Sequence, residues 1–101
     1  MVEINFDKLD RTLVLAELSC NHLQSFDIAV RTIEAMKKAG ADVVKVQNDN
    51  PDGGITIDCD NEYFQIGGGT LWDGKTLNKL YKETYTPWEW LPKLQKVAHD
   101  L

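Results

Sequence analysis

Cysteine is scarce in this sequence. Cys20 and Cys59 are its only two, and they form no C-x-x-C pair, so a zinc site is not indicated. In a reducing compartment both would be free thiols in small, partly buried positions. Long apolar runs are also missing: no stretch approaches the roughly 20 residues of a membrane span. The opening "MVEINFDKLD" is too acidic and polar for a secretory leader. These absences predict a cytoplasmic protein with no membrane association. Positive charge is in short supply as well. Eleven Lys and Arg against sixteen Asp and Glu leave a net charge of −5, and the lysines are interleaved with acids rather than gathered in a stripe. A phosphate backbone would be repelled, which argues against a nucleic-acid partner. No repeat or low-complexity tract occurs.

What remains is an ordinary globular composition, 43% hydrophobic and 27% charged, in 101 residues, room for one small domain. "TLVLAELS" predicts a buried strand over 12–19. Ser25 is a good N-cap with Asp27 in the following turn, and Phe26, Ala29, Val30, Ile33 and Met36 make a helical stripe over 25–39. Lys37, Lys38 and Gly40 are stop signals, and "ADVVKVQ" predicts a second strand over 41–47. Strand, helix and strand at this spacing form a βαβ unit, so the fold class is α/β with a parallel pair and a right-handed crossover. Residues 48–70 predict a loop with a small hairpin through Ile55, Ile57 and Cys59. Helices follow at about 73–85, capped by Asp73, and 87–100, capped by Thr86 with Pro87 first and Glu89 third. Pro92 predicts an irregular start or a restart in the last helix.

Both strands carry polar residues where apolar ones fit. Alternation puts Leu13, Leu15, Glu17 and Ser19 on one face of the first strand, and Val43, Lys45 and Gln47 on one face of the second. If these faces are neighbours, Glu17, Lys45 and Gln47 converge at the carboxyl ends of parallel strands, where α/β proteins collect their sites. Two readings stand at this point: a structural Glu17–Lys45 ion pair, or a site in which Lys45 holds an anion or acts as a Schiff-base nucleophile. Asn21 and His22 follow in the first loop, where a lone His is more often structural than a metal ligand. A Cys20/His22 nucleophile pair is weaker still, and His99 has no assigned role. The three tryptophans fit core filling at helix starts better than a binding platform. The glycines at 67–69 are a weak anion-cradle signal.

Together "LAELSCNH", "AGADVVKVQ", "LWDGKTLNKLY" and "YTPWEW" resemble the N-terminal part of the sialic-acid synthase family, closer to its pseudaminic than its neuraminate branch. The resemblance implies the N-terminal βαβ-α portion of a (β/α)8 TIM barrel. It also implies an enzyme that joins phosphoenolpyruvate to the open-chain aldehyde of an N-acetylated amino sugar and releases phosphate without a Schiff base. A divalent metal, Mn or Mg, would polarise the aldehyde and position a water, and the full-length enzyme would be a homodimer. Carried over by position, Lys45 and Gln47 match the strand-two pair, with the lysine facing phosphoenolpyruvate. Glu17 matches the strand-one glutamate near the aldehyde, and Asn21 and His22 match the first-loop "NH".

Two departures stand out. Gln24 replaces the glycine that the family usually carries before the serine, and Asn48 replaces the threonine that commonly follows the glutamine. The resemblance places strands three to eight, the metal-binding histidines and a C-terminal antifreeze-like domain outside these residues. Because two strands cannot close a barrel, the chain alone is expected to be inactive. The competing expectations are an aldolase-like fragment using Lys45, and a non-catalytic α/β module that self-associates through its open sheet edges.

Overall fold

A computed structural model describes residues 3–52 and 54–101. After a short 3-10 turn, Phe6–Lys8, the chain forms strand β1 (Leu15–Ser19), helix α1 (Phe26–Lys38), strand β2 (Val43–Val46), helix α2 (Leu77–Thr84), a 3-10 turn (Trp88–Trp90) and helix α3 (Leu91–Asp100). The strands pair in parallel, Leu15 opposite Val43, Ala16 opposite Val44 and Glu17 opposite Lys45, in a small α/β arrangement.

Helix α1 starts and stops by local chemistry. Ser25 Oγ accepts the Ile28 amide at 3.4 Å, and Asp27 pairs with Arg31 one turn on. At the other end Ala41 N–H reaches Met36 O at 3.0 Å while Gly40 N–H reaches Lys37 O at 3.0 Å, a Schellman closure with Gly40 at φ 95°. Only glycine takes that φ without strain. Gly40→Ala is therefore expected to cost about 1–2 kcal/mol, read as a lowered midpoint in chemical denaturation.

Alternation along the strands decides which side is covered. Leu18 joins Ala29, Ile33 and Leu94 in the fully buried core, with Phe26, Val30, Met36, Val44, Val46, Trp90, Val97 and Ala98 packed against it. Helices α1 and α3 thus lie over one face of the sheet. The opposite face is open: Leu15 is 52% exposed, and Glu17 and Lys45 are exposed beside it. At the start of the strands Arg11 grips the Asp42 carboxylate with both guanidinium arms, and that carboxylate also accepts the Val14 amide at 2.9 Å. The guanidinium holds Asp42 well below the usual carboxylate range.

The second half departs from the sequence expectations. Among the described residues 48–70 no strand forms; Gly53 lies outside them. Ile55 and Ile57 find no partner strand and flank a groove over α2 instead, and the bridge that does form joins Gln65 to Thr76. Helix α2 starts later than expected. Its N-cap is Thr76, whose hydroxyl accepts the Lys79 amide, while Asp73 is spent on the preceding loop. The Asp73 carboxylate accepts the Gly69 and Thr70 amides, both at 2.9 Å, and the Thr70 hydroxyl at 2.8 Å, which holds its proton affinity down. One amide of the suggested anion cradle at 67–69, that of Gly69, is therefore already engaged. The expected helix over 87–100 divides into a 3-10 turn and α3, with Pro92 in the first turn of α3, where its missing donor is harmless. Thr86 caps nothing and is wholly buried.

Candidate active site

Glu17 and Lys45 sit directly opposite one another in the parallel register, at the carboxyl end of the pair and on the face without helices. Their side chains form an ion pair, Lys45 Nζ to Glu17 Oε1, with about half of each side chain still exposed (51% and 48%). The ammonium holds the Glu17 carboxyl below its ordinary value, and Ser19 Oγ, at 3.5 Å from Oε2, helps. Glu17 is thus a carboxylate at neutral pH, able to accept a proton but not to supply one. Lys45 presents positive charge beside it, in reach of solvent and of any anion entering this face.

Gln47 follows β2 directly. Its amide donates to Ser19 O at 3.2 Å and its carbonyl accepts from the Cys20 thiol at 3.4 Å, so its backbone is fixed while its side chain lies at the exposed strand end. Burial pushes the Cys20 thiol up, and a protonated thiol bonded to a carbonyl is a poor nucleophile. Asn21 is exposed in the turn after β1, its amide bonded to Leu18 O at 2.9 Å. Of these residues, Glu17 and Lys45 are in side-chain contact, while Gln47 and Asn21 are tied to the ends of the two strands through their backbone amides.

His22 is placed differently from the other expected site residues. It is 0% exposed: Nδ1 accepts the Gln24 amide at 3.2 Å, Nε2 donates to Thr86 Oγ1 at 2.9 Å, and Trp90 stacks edge-on with ring centroids 5.2 Å apart. With Nδ1 accepting, the proton sits on Nε2 and the ring is neutral; burial lowers its proton affinity further. In this structure His22 faces the first loop and the segment before α3, not the Glu17–Lys45 pair. The loop itself is tightly wound, with Leu23 at φ 51° and Gln24 at φ 55°. Gln24 therefore adopts a left-handed backbone where the resemblance expects glycine, and its side chain anchors to Tyr85 O. Thr86 was hidden from sequence reasoning because Thr-Pro reads as a helix cap. A buried His needing an acceptor for Nε2 was the signal that could have found it.

The sequence profile of the NeuB family matches residues 32–101, well over half of the chain. The chain belongs to the NeuB family. It is 42% identical over 96 residues to the pseudaminic acid synthases of two Campylobacter jejuni serotypes, O:2 and O:23/36, covering 95% of this chain and 27% of each relative. It is 40% identical over 88 residues to the pseudaminic acid synthase of Helicobacter pylori, covering 87% of this chain and 25% of the relative. The chain thus spans about a quarter of the length of these relatives. The NeuB profile takes in Lys45, Gln47 and Thr86, while Glu17, Asn21 and His22 precede it. No helix among the described residues is long and apolar enough to cross a membrane.

Proposed function

We propose that this chain supplies the first two βα units of a (β/α)8 barrel enzyme that condenses phosphoenolpyruvate with the aldehyde of an N-acetylated amino sugar and releases phosphate, a pseudaminic acid synthase. The observation that carries it is the Glu17–Lys45 pair, set in register at the carboxyl end of parallel strands on the face that the helices leave open. On that face Leu15 is apolar and the polar pair lies beyond it, the gradient expected of a barrel interior leading to its mouth. Both α1 and α3 lie on the other side, where barrel helices belong.

The chemistry follows from charge. Lys45 attracts the phosphate or carboxylate of phosphoenolpyruvate, an anion strong enough to compete with Glu17 for a half-exposed ammonium. Carbon 3 of phosphoenolpyruvate then bonds to the aldehyde carbon, and water adds at carbon 2 as phosphate leaves by C–O cleavage. Glu17, kept ionised, takes a proton from that water. The former aldehyde oxygen takes up a proton to become a hydroxyl, and loss of phosphate leaves carbon 2 as the keto carbon of the product. Gln47 and Asn21 border the site and supply amides for the sugar. Among the described residues no group of three or more His, Cys, Asp or Glu lies close enough to hold a metal, so no step here is assigned to one; the Mn or Mg of the family would be held by residues outside this chain. An ammonium already bonded to a carboxylate offers no lone pair to a carbonyl, which disfavours a Schiff base on Lys45.

A chimera tests this reading. With this chain in place of the matching segment of the Campylobacter jejuni relative, phosphate release should require both phosphoenolpyruvate and the amino sugar, and the isolated chain should show none. A folded chimera without turnover would sink the proposal.

A further inference from the structure

The end of β1 is held in an unfavourable conformation by groups far away in sequence. Ser19 takes φ 52° at a slip in register, pairing with Val46 where regular pairing would bring Leu18. Its carbonyl oxygen accepts the Gln47 amide at 3.2 Å and the Thr86 hydroxyl at 3.4 Å. Thr86 Oγ1, 0% exposed, accepts in turn from His22 Nε2 at 2.9 Å, and the Gln24 amide closes the chain on Nδ1. With His22 Nδ1 accepting, the contacts run in a consistent direction and the relay has one polarity: Gln24 N–H to His22, His22 to Thr86, Thr86 to Ser19, whose carbonyl also takes the Gln47 amide. The relay stands between two residues of the candidate site. Ser19 Oγ lies 3.5 Å from Glu17 Oε2, and the Ser19 carbonyl fixes the backbone of Gln47.

We infer that Thr86 and His22 are positioning residues, which hold the Ser19 carbonyl so that Glu17 and Gln47 meet the substrate in fixed register across the two strand ends. The role in turnover rests on the reading above; the hold on Ser19 does not. Valine in place of Thr86 keeps shape and volume but cannot donate to Ser19 O or accept from His22, and one backbone oxygen loses a partner at the slip. Small displacements of reacting groups are costly in rate.

The full labelled chain and the chimera together test it. Thr86→Val should shift the amide resonances of Ser19 and Gln47 more than those of Ala29 or Leu94, and should disturb the Nε2–H tautomer signature of His22. Thr86→Ser, which restores the hydroxyl, should return both toward the parent. In the chimera, Thr86→Val should lower kcat about 10- to 100-fold, with recovery in Thr86→Ser. Unmoved Ser19 and Gln47 resonances, or a serine variant as impaired as the valine one, would overturn the inference. Should Thr86→Val fail to fold, the comparison passes to Thr86→Ser and to His22→Gln, which keeps a donor near the Nε2 position; loss of the Ser19 and Gln47 signature in both would also count against it. A parent chimera without turnover but with the expected shifts would discard the synthase reading and leave the hold on Ser19 standing.

Discussion

Lys45→Met in the chimera is expected to lower kcat/KM for phosphoenolpyruvate about 10²- to 10³-fold, the loss typical of removing one preorganised charge from a reacting anion. The competing account makes Glu17–Lys45 a structural ion pair, and the two accounts separate cleanly in a double variant. Replacing a structural pair by two apolar side chains is commonly neutral for stability, and a half-exposed pair contributes little to begin with. Glu17→Leu/Lys45→Met should therefore unfold at nearly the parent temperature and still fail to turn over. An active double variant would return the pair to a structural role. Glu17→Gln alone should spare phosphoenolpyruvate binding and depress kcat, because the amide cannot take the proton that the carboxylate takes.

Much of this site could be read before the structure, and the reason is periodic. Alternation in β1 and β2 fixes which residues share a face, so Glu17 and Lys45 had to lie together once the strands were parallel neighbours. The cap at Ser25 and the Gly40 closure are equally local, each set by chemistry within a few residues. What alternation could not show is the slip at Ser19, because it depends on a hydroxyl 67 residues away. Thr86 misled for the same reason: Thr-Pro-x-Glu is a good helix start locally, but a buried histidine claimed the hydroxyl. Asp73 is a further case of competition, drawn from helix capping to the nearer amides of Gly69 and Thr70. Ile55 and Ile57 show the opposite failure, a strand pattern with no neighbour to pair with.

His22 gives the second large effect, on stability and its pH dependence. His22→Ala should cost about 2–4 kcal/mol, since it leaves a cavity in a fully buried position and strips Thr86 of its donor. The parent should also lose stability on the acid side. Burial lowers the proton affinity of His22 in the folded chain below its ordinary value, so the unfolded state binds the extra proton first, and stability falls as pH drops below about 6.5. Protonation would also put a second N–H on Nδ1, facing the Gln24 amide that now donates to it. Asp42 is acid-sensitive too, but its window is separate. Held down by Arg11, it contributes fully above the ordinary carboxylate range and is lost only as pH falls beneath it. His22→Gln should therefore flatten the stability profile between about pH 6.5 and 4.5 and leave the steeper loss below, whereas Asp42→Asn should do the reverse. Denaturation midpoints of the three chains across pH 3–8 decide it. An unchanged upper limb in His22→Gln would mean that the imidazole takes a proton in the folded state without cost, contrary to the buried relay through Thr86.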